Sequence, residues 1–249
     1  MRYVNFGCGL VFHPKWENYD LFPNHPAVRQ CSVTDLATEF QESTVDVFYI
    51  AHVLEHIDPR VVPSVLRDIC RILRPGGILR VVVPDLEQIA KLYLHYLQKA
   101  VKGCEISGNR RDWMVVELID QCVRHRSGGA MLDWWLEDPM PESSFVKARV
   151  GGDVLEHLDR PTKDAILKGR QAPLSEEEIG RFRSSGEPHL WMYDRYSLGQ
   201  LLIQAGFCGI NVMSAVQSAI PKFNGFFLDI TESGTQRKPD SLYVEATLA

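Results

Sequence analysis

Apolar positions gather in short bursts at both ends of the chain and thin out between them. Tyr3 to Phe6 predicts a strand that stops at Gly7-Cys8-Gly9. Glu17 to Leu21 and Val28 to Cys31 predict two more, each followed by a polar turn. Val45 to Ile50 (VDVFYI) is β-branched, aromatic and nearly continuous, the pattern of a strand covered on both faces. From Pro59 to Leu73, residues Val62, Val65, Leu66, Ile69, Ile72 and Leu73 recur at helical spacing. Pro75-Gly76-Gly77 signals a break, and Ile78 to Val83 is the strongest strand pattern, closed by Pro84-Asp85. Strand, turn, strand, helix, strand is an α/β order, most simply a parallel doubly wound sheet.

Helical patterns follow over Leu86 to Lys102 and Asp112 to Arg126. Between about 103 and 188 the periodicity weakens, with loop-like patches at Ser127-Gly128-Gly129, Asp138-Pro139-Met140-Pro141 and Gly151-Gly152. The expected organisation is a core of residues 1–85 and 189–249 interrupted at 86–188 by a mainly helical insertion that forms a lid and acceptor pocket. The core pattern resumes with a helix from Ser197 to Ala205 stopped by Gly206 as its C′ residue, then strands at Ile210 to Ala215 and Leu242 to Thr247. Trp134 and Trp135 read as core, and His125 and His157 as surface.

Composition narrows the functional classes. The formal net charge is -5, without the basic excess of a protein that binds a nucleic-acid backbone. The six cysteines are scattered with no CxxC pair, which speaks for reduced thiols and a cytoplasmic location over a disulfide frame or zinc site. The opening MRYVNFGCG lacks a signal-peptide pattern, and no apolar run approaches the roughly 20 residues that span a bilayer. The expectation is a soluble intracellular protein with no membrane partner.

The chemistry starts at the glycine turn. Gly7-x-Gly9 after a strand lets backbone approach a ligand where a Cβ would clash, at the sheet edge where open α/β folds bind ligands. Asp20, at the end of the second strand, suits the two hydroxyls of a ribose. Asp35 in SVTDL is placed to accept from an adenine amino group, with Leu36 offering its backbone N–H and an apolar wall. A third glycine and the ~20-residue spacing to an acidic residue are missing, which argues against a nicotinamide dinucleotide. A nucleoside without phosphates fits better. VNFGCG, NYD, SVTDL, DVFYIAHVLEHI and RILRPGGILRVVVPD together resemble the class I S-adenosylmethionine-dependent methyltransferases of the type 11 branch. The resemblance covers residues 3–85 and returns at HLWMYDRYSLGQLLIQAGF and the closing strands. It implies a Rossmann-like, mostly parallel sheet of seven strands with the last antiparallel. It also implies that Gly7, Cys8 and Gly9 lie at the methionine part of the cofactor, Asp20 at the ribose, Asp35 with Leu36 at the adenine, and His52 beside the sulfonium. The first helix is shortened relative to the family.

AHVLEHI supplies the remaining candidates. If helical, His52, Glu55 and His56 at i, i+3 and i+4 share one face. The spacing is also the inverted metalloprotease signature, but a glycine-turn α/β sheet is the wrong context for a protease. Imidazole and carboxylate suit a divalent ion. The segment resembles ubiquinone-pathway and small-RNA 2′-O-methyltransferases, whose Glu and His at the positions of Glu55 and His56 hold such an ion, with an acidic residue where this chain has His52. The alternative is acid–base chemistry by His56, His52 or His189, with Tyr193 or Asp194 orienting a histidine. A purely structural role, capping the next helix, also remains open. Methyl transfer from S-adenosylmethionine to an oxygen of a small or sugar-containing metabolite is the leading expectation, yielding S-adenosylhomocysteine, with a divalent metal at His52, Glu55 and His56 the less favoured addition. The other readings are cyclisation or elimination giving methylthioadenosine, and cofactor binding without catalysis. A homodimer is compatible with the sequence.

Overall fold

The computed structural model describes residues 1–151, 160–170 and 172–249; Gly152 and His157 lie outside them. The chain divides into a sheet unit, Met1–Asp85 with Trp191–Gln236 and Ser241–Ala249, and a helical unit, Leu86–Leu190 with Arg237–Asp240.

The sheet unit holds one seven-stranded sheet in the order β3-β2-β1-β4-β5-β7-β6. Its strands are β1 Tyr3–Phe6, β2 Glu17–Asp20, β3 Val28–Gln30, β4 Val45–Ala51, β5 Leu73–Pro84, β6 Phe207–Met213 and β7 Ser241–Leu248. β1 to β5 pair in parallel, and β7 runs antiparallel to both β5 and β6. The helices of this unit are the short α1 Leu36–Glu39, α2 Val62–Ile72 and, after the helical unit, α9 Arg195–Ala205.

The period-2 alternation of a strand separates two cores. Phe48 and Ile50 of β4 join Val65, Leu66 and Ile69 of α2 and Leu198 and Leu202 of α9 on one face. Val47 and Tyr49 point the other way, into Trp16, Ile220, Phe223 and Leu228. That second face is covered mainly by irregular chain from the stretch between β6 and β7. β1 reaches its parallel neighbour β2 through residues 7–16 without a helix, confirming the shortened connection. Pro75-Gly76-Gly77 does not break the chain ahead of the strand. Val45 pairs with Leu73 and Val47 with Ile78, so residues 74–77 form a bulge inside β5 opposite Asp46, whose carboxylate binds Arg74 at 2.9 Å.

The helical unit contains α3 Leu86–Ala100, α4 Glu105–Val123, α5 Gly129–Leu136, α6 Ser143–Val150, α7 Arg160–Arg170 and α8 Glu176–Arg183. Trp113 of α4 is fully buried, edge-on to the half-buried Trp134 of α5, with Trp135 tilted beside it. His125 is exposed. The buried Arg149 of α6 binds Glu117 of α4 through Nε at 3.2 Å and also through Nη2. α4 contains most of the helix expected at Asp112 to Arg126, whereas the buried Arg149 blurs the apolar period of α6.

Candidate functional site

Parallel strands end on the same edge, so the segments following β1, β2, β3 and β4 gather there. Gly7 and Gly9 take φ +69 and +52, a region that disfavours side chains. The two glycines serve different needs. A Cβ on Gly7 would run into the Val53 side chain, whereas nothing lies within 4 Å of the Cβ position on Gly9. Gly9 therefore presents bare backbone to open space, the cradle a ligand requires.

Asp20 fastens this turn. Its Oδ2 accepts from the Gly9 amide at 2.8 Å and its Oδ1 from the Phe22 amide at 2.9 Å. Each carboxylate oxygen retains a further lone pair, and the residue is half-buried. Burial first, and the Asp20 charge second, push the Cys8 thiol up to about 11; at neutral pH it stays protonated. Asp35 is exposed at the end of a 3₁₀ turn that Ser32 caps. Leu36 differs from expectation: it is fully buried in the core, because α1 turns it inward. The wall and N–H donor assigned to it are not accessible, and Asp35 alone faces outward.

The AHVLEHI segment is not one helical face. His52 has φ +54, and only Leu54–His56 forms a 3₁₀ turn. This kink brings His52 and Glu55 together rather than side by side along a helix. His52 Nδ1 lies 3.1 Å from Glu55 Oε1, and Nε2 lies 3.1 Å from Ser241 Oγ at the start of β7. Glu55 is fully buried and the His52 side chain is 27 % exposed. In the tautomer that donates Nδ1–H to the carboxylate, the Nε2 lone pair faces the Ser241 hydroxyl. His56 closes the 3₁₀ turn half-buried, its amide donating to the Val53 carbonyl at 3.0 Å.

His189 belongs to the helical unit, buried, with its amide donating to Gln121 O at 3.0 Å. Asp194 does not orient a histidine through its carboxylate: Oδ1 accepts from the Tyr196 and Ser197 amides as the N-cap of α9. Tyr193 is buried in a bridge to Asp85; burial, and then the Glu55 charge, raise its pKa, so its phenol stays protonated.

The sequence reading passed over Ser241 and a buried network behind the site. Arg80, within the apolar run of β5, is fully buried; its Nε donates to Asp229 at 2.8 Å and its Nη1 to Glu245 at 2.7 Å. The Tyr49 hydroxyl also donates to Asp229, at 2.5 Å. A lone arginine inside ILRVVV was the available signal, since a buried charge requires partners.

Residues 15–81 match the methyltransferase domain family. No curated protein matches the sequence. Among solved structures, a SAM-dependent methyltransferase from Archaeoglobus fulgidus is 9% identical, covering 99% of this chain and 85% of that one, with TM-score 0.43. An S-adenosylmethionine-dependent methyltransferase from Mesorhizobium loti is 13% identical, covering 99% and 90%, with TM-score 0.38. Likenesses of that size carry no weight for mechanism. The match to the methyltransferase domain family thus falls within the sheet unit, whose sheet has six parallel strands and an antiparallel β7.

Proposed function

We infer that the protein methylates a hydroxyl oxygen of a small, sugar-containing acceptor, with His52 taking the proton. The Glu55–His52–Ser241 line at the end of β4 carries this reading. Bound S-adenosylmethionine supplies an electrophilic methyl group for in-line displacement. The chain's part is to hold and align: Gly9 backbone at the methionine portion, Asp20 on the ribose and Asp35 toward the adenine. Alignment supplies much of the acceleration in such a displacement. A hydroxyl acceptor must also lose a proton as the new O–C bond forms; taking the place of the Ser241 hydroxyl at His52 Nε2, it gives its proton to that nitrogen while Glu55 stabilises the resulting imidazolium. Until the acceptor arrives, Ser241 holds the ring in place through Nε2. His56 and His189 are the alternative bases.

The test is product analysis with the full chain, S-adenosylmethionine and a panel of hydroxyl-bearing sugars. S-Adenosylhomocysteine and a methyl ether are expected, and Asp20→Ala should abolish both together with calorimetric cofactor binding. Methylthioadenosine as product would replace methyl transfer by elimination or cyclisation. Binding without turnover on any acceptor would leave a cofactor-binding protein. Turnover should survive EDTA; loss restored by a divalent ion would instead assign Glu55 and His56 as metal ligands.

A further inference from the structure

The helical unit contains a cavity of about 310 Å³ that methyl transfer leaves without a role. Arg124, Arg126, Arg170 and His125 line it, with Leu174 and Ile179 as an apolar edge. Two carboxylates, Asp120 and Asp133, share the wall but are already committed. Asp120 accepts from the Ala130 amide at 2.7 Å, the Met131 amide at 3.3 Å and Arg124 Nη2 at 2.6 Å. Asp133 accepts from Arg170 Nε at 2.9 Å. Arg126 donates to the carbonyls of Arg170 at 2.7 Å and Ala172 at 3.4 Å, and among the described residues it has no carboxylate partner.

Arg124 is the telling residue. Its side chain is only 8 % exposed and its Nη1 lies 3.5 Å from Glu187, but among the described residues its Nε has no hydrogen-bond partner. Buried donors of this kind are ordinarily satisfied. Gly129, at φ +50, keeps the space beside it clear: a Cβ there would strike the Asp120 carboxylate and come within 2.8 Å of Arg124 Nε. Arg170 is spent on Asp133 and on the Ser127 and Gly129 carbonyls, which leaves Arg124 and Arg126 to meet the acceptor oxygens of a phosphoryl group, for which planar, delocalised cations are well suited.

We propose that this cavity binds a phosphoryl group, on Arg124 and Arg126, carried by a small molecule whose remainder rests on Leu174 and Ile179 or present as free phosphate. The proposal stands apart from the methyl-transfer reading, since its readout is binding alone. Calorimetry on the full chain with inorganic phosphate, glucose 1-phosphate and glucose separates the sources. Saturable binding of the two phosphates and none of glucose is expected. Tighter binding of the sugar phosphate names an organic ligand, and equal affinities name free phosphate. Arg126→Gln should weaken binding about ten-fold or more, and Gly129→Ala should close the site, both with unchanged affinity for S-adenosylmethionine. Should a variant fail to fold, phosphate protection of Arg126 from phenylglyoxal, read by peptide mass spectrometry on the unaltered chain, gives the same answer. Unaltered phosphate affinity in the folded variants, or no protection, overturns the proposal.

Discussion

His52 holds a left-handed backbone conformation, φ +54, which costs a residue with a Cβ on the order of 1–2 kcal/mol. Its amide donates to Val82 O at 2.9 Å, and both ring nitrogens have partners, so the surroundings enforce the conformation. Strain held this way marks positions where a side chain must be aimed. His52→Asn is the informative substitution, because asparagine tolerates the left-handed region. The variant should melt within a few degrees of the parent and lose roughly 10²- to 10⁴-fold in kcat, the usual worth of a general base; full activity would return the role to His56 or His189. Ser241→Ala should lower kcat by about five-fold, the value of one neutral hydrogen bond of ~1 kcal/mol, with KM for the cofactor unchanged. A change in KM alone would make Ser241 a binding residue instead. The His52–Glu55 contact spans three positions and was legible as proximity in the sequence. Ser241 was not, because it lies 189 residues from His52 and only the pairing of β7 beside β5 brings them together. Asp20 was legible as a carboxylate at a strand end, while its hold on the Gly9 amide needed the turn's path in space.

At the scale of elements, periodicity succeeded where one face is uniformly apolar. α2 appears within a few residues of its expected bounds because its buried positions are all hydrophobic; most strands do too, although Asn5, Asn18, Arg80 and Glu245 are buried in them. Across 103–188 it found part of α4, expected at Asp112 to Arg126 and observed at Glu105–Val123, and did not mark α5 to α8; in α6 the buried Arg149 interrupts the pattern that marks a helix. The start of α9 was missed for another reason. The expected start at Ser197 overlooked the capping box in which Asp194 accepts from the Ser197 amide at 2.7 Å and Ser197 Oγ answers to the Asp194 amide at 3.1 Å. Asp194→Ala should cost about 0.5–2 kcal/mol in urea unfolding. The cap also sets a pH dependence. The Ser197 amide, ahead of other hydrogen bonds, lowers the Asp194 pKa in the folded chain. Its stabilisation is therefore complete above the unfolded value of about 3.9 and is lost as pH falls through the lower folded value. The gap between parent and variant should be constant from pH 7 to 5 and shrink below pH 4. A gap that persists undiminished at pH 2 would mean that the carboxylate's charge contributes nothing.

Across the whole molecule, the chain passes from the sheet unit into the helical unit after Asp85, returns at Trp191, and revisits the helical unit for Arg237–Asp240. Each unit is organised around its own buried arginine. Arg80 in the sheet unit is fully buried between Asp229 and Glu245, and its Nη2 also takes the Ser214 carbonyl at 2.9 Å. Arg149 in the helical unit binds Glu117 and Gln88. Removing either arginine strands a buried carboxylate, a loss of roughly 3–5 kcal/mol. The networks share no partner, so each loss should be felt where the arginine sits. Hydrogen exchange read by mass spectrometry distinguishes this from global weakening. Arg80→Ala should speed exchange in β4, β5 and β7 and leave α4 and α6 protected, and Arg149→Ala should do the reverse. Equal acceleration throughout both units by either substitution would show one cooperative body. The unit-specific result would mean that the cofactor-binding sheet and the helical unit can be altered separately, the sheet retaining its affinity for S-adenosylmethionine when Arg149 is lost.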